Sequence, residues 1–125
     1  MNLPFNANTF DVVISISTLE HIGLGAYGDP CSKRGDHIAL EEIKRVIRDK
    51  GKVLITVPAG RDYVVSNTER VYSPQEIENM FSIFPKVTYE YSFNTKGIFR
   101  EAISKEDIEK RRYKQKWGLH VSQRS

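Results

Sequence analysis

The sequence predicts an α/β domain in which two parallel strands flank a helix. Two short segments, 10–17 and 52–58, are apolar at successive positions, and an amphipathic segment lies between them. Strands that are apolar on both faces are typical of parallel sheets, and the order strand, helix, strand forms a right-handed crossover. A chain of 125 residues, 39% hydrophobic and 28% charged, is long enough for one folded domain with one core.

The first strand is predicted from Phe10 to Ser17, and its apolar side chains are expected to be buried on both faces. The segment Gly23–Gly35 is rich in glycine and aspartate, which predicts a loop. A helix is predicted from Asp36 to Gly51, with Asp36 as its N-cap and apolar residues at helical spacing. The second buried strand is predicted from Lys52 to Pro58.

Another helix is predicted from Ser73 to Phe84. Ser73 can serve as its N-cap, and Pro74 suits the first helical position because its missing N–H needs no partner there. The segment Lys86–Phe93 alternates polar and apolar residues, which predicts a strand with one exposed face. We expect these elements to complete the same single domain.

The charge excess lies near the end of the chain. The net charge is +3, the pI is near 9.0, and seven of the basic residues fall between 105 and 124. Segment 104–125 is predicted to form a basic surface helix and a last strand at 117–123, although 97–103 competes for that strand. No nucleic-acid-binding motif accompanies the basic residues, so we interpret them as a solvated helix face.

The composition also bounds the compartment. Cys31 is the only cysteine, so no intrachain disulfide can form. No apolar leader follows Met1, and no apolar run approaches the ~20 residues that span a bilayer. These features favour a cytoplasmic protein without a membrane partner.

Gly23, Gly25 and Gly28 spell the dinucleotide-binding pattern G-x-G-x-x-G. A working pattern turns directly from a strand into a helix whose N-terminus holds the pyrophosphate. Here five residues separate the strand from Gly23, and Asp29 and Pro30 follow Gly28. We therefore interpret the glycines as turn residues, and keep a dinucleotide-binding domain as an alternative.

A longer ordered run of residues points elsewhere. "LPF", "FDVVISISTLEH", "RVIRDKG" and "VPAG" follow one another in this order. The run resembles the second half of class I S-adenosylmethionine-dependent methyltransferases, of methyltransferase type 11, and most closely an uncharacterised methyltransferase-like group that includes DUF268. It covers about residues 3 to 93, and it departs from the common pattern by Asp49 and Lys50 in place of Pro-Gly.

This resemblance implies a fold: a partial Rossmann-like methyltransferase sheet, strands 4-5-7-6, with flanking helices. The glycine-rich cofactor loop and the strands that precede "LPF" in the family have no counterpart in this sequence. Strand 4 would then expose the edge that pairs with strand 1 in the family. We expect this edge to bind a second copy or a complementary chain, or to leave the domain marginally stable.

The resemblance also implies a cofactor, S-adenosylmethionine, and its contacts. Leu3, Pro4 and Phe5 match the segment beside the adenine. Three further residues match the strand end that lines the methionine part: Ser17, Thr18 and Leu19.

Glu20 and His21 are the candidate catalytic residues. They follow a central strand at its carboxyl end, where open α/β sheets bind ligands. A histidine there can act as a general base on an acceptor hydroxyl or amine. Some relatives bind a metal through E-x-x-E-H, but Ser17 replaces the first acid here, so no metal is expected.

The acceptor, a small molecule or saccharide, is expected to contact Tyr27 and Asp29 on the loop and Arg70 and Tyr72 after the second strand. The function that follows is methyl transfer by a shortened or partial methyltransferase. A non-catalytic half-domain that serves as a binding or assembly module is the alternative.

Overall fold

The structure, a computed structural model, describes residues 2–25, 33–95, 98–104, 106 and 117–124, with side chains for 2–25, 33–91, 104 and 106. Seven strands and two helices are described along this part of the chain, together with a short 3-10 turn. In chain order they are β1 (Phe10–Ile16), the turn (Leu19–His21), α1 (Gly35–Val46), β2 (Ile47–Ala59), β3 (Val64–Val65), β4 (Arg70–Val71), α2 (Pro74–Phe81), β5 (Val87–Thr95), β6 (Ile98–Ile103) and β7 (Trp117–Arg124).

Five of the strands form one mixed sheet in the order β1-β2-β7-β5-β6. β1 and β2 are parallel, as the sequence predicts, and the other neighbours are antiparallel. Both segments that compete for the last strand are strands: 117–124 lies between β2 and β5, and 98–103 lies outside β5. The helix expected from Ser104 lies largely outside the described residues.

The first helix is shorter than predicted. α1 ends at Val46, and Ile47 already has extended backbone angles, so 47–51 belong to β2 rather than to the last turn. Asp36 is not the N-cap: it lies inside the first turn, and the cap position is held by Arg34 without a side-chain hydrogen bond. The helical spacing of apolar residues continues past the end of α1, because Ile47 is apolar for another reason: it is buried as a residue of β2.

The second helix confirms its predicted start. The Ser73 hydroxyl accepts a hydrogen bond from the Glu76 N–H at 3.2 Å, and Pro74 is the first helical residue. The cap satisfies one of the backbone donors that every helix start leaves without an internal partner.

One face of the sheet carries the core. Side chains of α1 and α2 pack there against alternate residues of β2, namely Val53, Ile55 and Val57. α1 supplies Leu40 and Ile43, and α2 supplies Ile77, Met80 and Phe81. The alternation follows from the strand period of two, which sends every second β2 side chain to this face.

The opposite face is open at β1. Val12, Ile14 and Ile16 are 54%, 59% and 62% exposed, although the sequence predicts burial on both faces of this strand. That prediction is wrong because, among the described residues, only the other face of β1 is covered by the core. We call these three side chains the β1 row.

None of the described helices is both long and apolar enough to cross a membrane.

Candidate functional site

The chain turns sharply where β1 ends. Ser17 adopts a left-handed backbone conformation with φ of 46°, which is uncommon for a residue with a side chain. Its N–H donates to the Thr56 carbonyl at 3.1 Å and to the Thr56 hydroxyl at 3.0 Å, so β2 holds the turn. Strained backbone of this kind is concentrated at functional sites. The next residues form the 3-10 turn with Leu19 buried in the core.

Glu20 and His21 stand side by side on this turn. Glu20 is buried, with 1% of its surface exposed, whereas the His21 side chain is 29% exposed. Glu20 Oε1 lies 3.6 Å from His21 Nε2. His21 Nδ1 lies 2.5 Å from the Thr68 carbonyl oxygen, and because a carbonyl only accepts, Nδ1 carries the proton. The neutral ring therefore has Nε2 as its basic atom, next to the carboxylate.

Arg70 holds the turn through hydrogen bonds to its backbone. Its Nη1 donates to the Ile22 carbonyl at 2.5 Å and to the Leu19 carbonyl at 3.5 Å, so one guanidinium group binds the backbone on both sides of the Glu20–His21 pair. Arg70 is 1% exposed. A buried cation needs an opposite charge, because burial without one is strongly unfavourable.

Asp36 supplies that charge from the first turn of α1. Its Oδ2 lies 3.7 Å from Arg70 Nε and accepts a hydrogen bond from the Tyr72 hydroxyl at 2.8 Å. Asp36 and Tyr72 are as fully buried as Arg70. Burial and then the negative charge of Asp36 raise the pKa of Tyr72 far above its usual range. The three side chains form one buried group, which we call the Arg70 network.

Arg70 and Tyr72, which the sequence predicts beside the acceptor, are both buried in this arrangement. Both side chains belong to the Arg70 network, away from solvent. The burial has a local cause: the backbone of Tyr72 pairs with the end of β2, through hydrogen bonds to Pro58 and Gly60 of 3.0 and 2.8 Å, which turns the ring inward. These positions favour a supporting role for both residues.

The hairpin of β3 and β4 closes over the same end of the sheet. It leaves β2 at Gly60 and returns at Tyr72, and its Thr68 carbonyl is the partner of His21. Tyr63 lies on it with its ring centroid 5.7 Å from that of Tyr72, and burial followed by the charge of Asp36 raises the pKa of Tyr63. The hairpin is thus tied to the turn through both His21 and Arg70.

The first predicted cofactor segment lies at the opposite end of β1 from the turn. Leu3, Pro4 and Phe5 lie at the amino end of β1: the Phe5 ring contacts Phe10 at 4.9 Å, and Arg45 donates to the Phe5 carbonyl at 2.8 Å. In a parallel crossover the helix runs against the strands, so the end of α1 meets their amino ends. Leu3–Phe5 and Ser17–Leu19 are therefore separated by the length of β1, about 20 Å for its seven residues.

Glu42 and Arg45 clamp that amino-terminal segment. Their side chains form an ion pair of 2.7 Å, and Arg45 Nη2 also donates to the Leu3 carbonyl at 3.1 Å while the Leu3 N–H donates to Glu42 at 3.2 Å. The hydrogen bond from Arg45 lowers the pKa of Glu42. The structure thus does not bring the two predicted cofactor segments together.

The residues at the carboxyl end of β1 fit one part of S-adenosylmethionine. Ser17 and Thr18 are exposed polar residues on a strained turn, whereas the carboxylate of the next acidic residue, Glu20, is buried and can act on a ligand only through its charge. A carboxylate suits the positively charged sulfonium and ammonium groups of the methionine part. The residues predicted for the adenosine part, Leu3, Pro4 and Phe5, lie at the other end of the strand.

Two other site predictions concern residues that follow Gly25 in the chain. Tyr27 and Asp29 lie outside the described residues, as does Gly28. Gly23 and Gly25 have φ of 80° and 78°, the left-handed region that glycine adopts without strain, which agrees with their interpretation as turn residues. Among the residues that the structure describes, no three potential ligands gather in a way that could hold a metal ion.

Sequence reasoning missed three contributors to the site. Asp36 was assigned to a helix cap, Thr68 was not singled out, and Gly35 was placed only at the end of a loop. A Cβ at Gly35 would lie 2.9 Å from the Ile22 carbonyl oxygen, so a glycine lets α1 start against the turn. No local pattern marks Asp36 or Thr68, since their partners lie 34 to 47 residues away.

Comparisons with known proteins agree with this picture. The model of the family "Caenorhabditis protein of unknown function, DUF268" matches residues 2–120. An uncharacterized protein of Methanocaldococcus jannaschii is 34% identical over 86 residues, which cover 69% of this chain and 29% of that protein.

Two solved structures are similar in fold. One, from Thermotoga maritima, is described as a SAM-dependent methyltransferase and possible histamine N-methyltransferase; it matches 99% of this chain and 60% of its own, at 14% identity and a TM-score of 0.62. The other is the (4+2) cyclase SpnF, which matches 98% of this chain and 53% of its own, at 15% identity and a TM-score of 0.61.

The chain thus spans under a third of the curated relative and just over half of each solved structure. At these identities the solved structures show the fold alone, and their two names describe different reactions. The chain has a methyltransferase-like α/β fold and belongs to the DUF268 family.

Proposed function

We propose that this chain is the acceptor-side part of a methyltransferase that uses S-adenosylmethionine and methylates a small molecule or saccharide. The observation that carries the proposal is the Glu20–His21 pair on a strained turn at the carboxyl end of β1, in a fold of this kind. The strand order supports it as well: β1, β2, β7 and β5 are neighbours and suit strands 4, 5, 7 and 6 of the methyltransferase sheet.

Methyl transfer requires few catalytic side chains. When bound, the cofactor would supply a methyl group on a positively charged sulfur: the acceptor oxygen or nitrogen would bond to the methyl carbon in line as the carbon–sulfur bond breaks and the sulfur leaves as a neutral thioether. His21 Nε2 accepts the proton that the acceptor loses, because Nδ1 is already protonated against Thr68. Glu20, 3.6 Å away, attracts the imidazolium that forms. The turn contributes most by orienting acceptor and base.

Calorimetric titration with S-adenosylmethionine and its demethylated product tests the cofactor. We expect micromolar binding, weakened in Glu20→Gln because the negative charge of the turn, which attracts the cationic groups of the cofactor, is lost. A folded protein that binds neither compound would contradict the proposal. Binding of NAD instead would support the dinucleotide alternative.

Transfer of a radiolabelled methyl group to a panel of phenols, amines and monosaccharides tests the base. We expect His21→Gln to lower the rate by about 10²-fold or more, in the range of general-base catalysis. His37→Gln is a matched control, since His37 also lies 3.7 Å from a carboxylate, that of Glu76, with nearly the same exposure, 28%. Equal rates in the two variants would contradict the role of His21.

The exposed β1 row favours a second candidate function, an assembly module. β1 is the outermost strand, and its outward backbone groups have no strand partner among the described residues. We propose that a second copy pairs with this edge about a two-fold axis perpendicular to the sheet, which continues the sheet and brings the two β1 rows side by side on one face. Light scattering over a range of concentrations should show a dimer that Ile14→Lys weakens. A monodisperse monomer at all concentrations would contradict it.

A further inference from the structure

We infer that Arg70 is a positioning residue that sets the protonation form of His21, through a network that Asp36 and Tyr72 complete. The inference rests on the proposed role of His21 as a base, and it assigns to Arg70 and Tyr72 a task other than contact with the acceptor. The observation behind it is that one hairpin binds the turn in two places. Its Thr68 carbonyl accepts a hydrogen bond from the His21 ring, and Arg70, two residues later, donates to the turn's backbone.

Arg70 fixes the backbone on which the pair is carried. It donates to the carbonyls of Leu19 and Ile22, which enclose Glu20 and His21 in the chain. Both contacts come from Nη1, so a change in the guanidinium position moves both carbonyls together. A lysine at this position has a single ammonium on a more flexible stem and cannot reproduce the fork that also faces Asp36.

Asp36 and Tyr72 fix Arg70 in turn. The Asp36 carboxylate faces Arg70 Nε at 3.7 Å and the Tyr72 hydroxyl at 2.8 Å, and all three side chains are at most 1% exposed. In such a dry environment each polar group has few alternative partners, so removal of one member displaces the others. Tyr72 therefore acts on the turn indirectly, through Asp36 and then Arg70.

The consequence appears at the imidazole ring. The Nδ1–H form of His21 requires that the ring stay within hydrogen-bond reach of the Thr68 carbonyl. If the turn shifts relative to the hairpin, this bond lengthens and the Nε2–H form becomes available, in which Nε2 no longer accepts a proton. The network thus keeps Nε2 as the basic atom beside Glu20.

The tautomer can be read directly by long-range proton–nitrogen NMR of the full chain labelled with ¹⁵N. The measurement is made over a series of alkaline pH values, and the shifts of the two ring nitrogens themselves distinguish the neutral tautomers from the imidazolium. His21→Gln assigns the signal among the three histidines. We expect the Nδ1–H form in the wild type.

We expect Arg70→Lys to lower the ratio of Nδ1–H to Nε2–H about tenfold, which corresponds to about 1.4 kcal/mol. Tyr72→Phe, nearly the same in shape, should lower it in the same direction by a smaller factor. Arg48→Lys is the matched control, because Arg48 also binds a backbone carbonyl and a carboxylate, those of Asn8 and Asp11, but at the surface. It should leave the ratio unchanged.

Folding of each variant is checked by circular dichroism, and if Arg70→Lys does not fold, Tyr72→Phe decides. An Nε2–H form in the wild type, or an unchanged ratio in folded Tyr72→Phe, would overturn the inference. The readout needs neither cofactor nor acceptor. A protein that fails to bind S-adenosylmethionine yet shows the tautomer shift would overturn the proposed function and leave the positioning role standing.

Discussion

Two neighbouring regions of this molecule reverse the usual distribution of polar and apolar groups. Inside, the Arg70 network buries a guanidinium, a carboxylate and a phenol with at most 1% exposure. Outside, the β1 row leaves Val12, Ile14 and Ile16 more than half exposed. Only two residues separate Ile16 from the turn that the network holds.

The difference shows which contacts the chain completes by itself. Each charge of the Arg70 network has its partner within the same chain, as buried charges require. The β1 row has no such partner among the described residues, and exposed apolar surface of this kind marks interaction sites. The two regions should therefore respond in opposite ways to substitution.

The largest effect is expected for Arg70→Met. Removal of the guanidinium leaves the buried carboxylate of Asp36 without its charge partner, which should cost about 3–5 kcal/mol of unfolding free energy. Urea denaturation measures this. Arg48→Met, which removes the exposed pair with Asp11, should cost less than about 1 kcal/mol. Comparable losses in the two variants would show that the network is not a closed buried unit.

The second comparison sets Ile55 against Ile14, which lie on adjacent strands but on opposite faces of the sheet. Ile55→Ala creates a cavity in the core and should cost about 2–5 kcal/mol. Ile14→Ala should cost less than about 0.5 kcal/mol in the monomer, because its side chain is already in water. A large loss for Ile14→Ala at low protein concentration would mean that the β1 row is covered within one chain.

A third test uses alkaline pH. Burial raises the pKa of Tyr72 above its usual range, so the folded protein keeps the phenol neutral while the unfolded chain ionises it above about pH 10. The contribution of Tyr72 is therefore complete below pH 10 and is lost as pH rises further.

Tyr72→Phe should be less stable than the wild type by about 0.5–1.5 kcal/mol at pH 7, and this deficit should shrink above pH 10. Urea unfolding at a series of pH values measures both. The pKa values of Tyr63 and Tyr89 are also raised, so Tyr89→Phe is the control for general tyrosine ionisation. A deficit that stays constant with pH would contradict the assignment.

The smallest effect concerns a second ion pair, the half-buried one of Glu42 with Arg45. The pKa of Glu42 is lowered chiefly by the hydrogen bond from Arg45, so the clamp is complete above the usual glutamate pKa and weakens as pH falls through the lowered value. In Arg45→Met the pKa of Glu42 should return towards its usual range, which a carbon-detected NMR titration measures. An unchanged pKa would show that Arg45 does not set it.

Some elements could be predicted from neighbouring residues alone. The cap of α2 needs only Ser73 and Pro74, and the parallel pair β1 and β2 follows from two apolar segments around one helix. The end of α1 could not, because Ile47 suits a helix and a buried strand equally well. The sequence also marks the Glu20–His21 turn, since its position after a strand is a local property.

The rest of the site depends on distant contacts. Whether a face of β1 is buried is decided by what packs against that face and not by the residues of the strand, so Val12 and Ile14 are predicted as core residues although they are exposed. Arg70 and Tyr72 were singled out by resemblance, but their inward direction follows from pairing with the end of β2. Asp36 had no visible partner because the contact spans 34 residues.

The length of α1 has a practical consequence for anyone who attaches this protein to a surface or a dye. Its first turn carries Asp36, a member of the Arg70 network, and its last turn holds Leu3 and Phe5 through Arg45. Twelve helical residues span about 18 Å, so a label attached at Leu3 lies about one helix length from the Arg70 network. Attachment at this end therefore leaves the turn accessible to small compounds in solution.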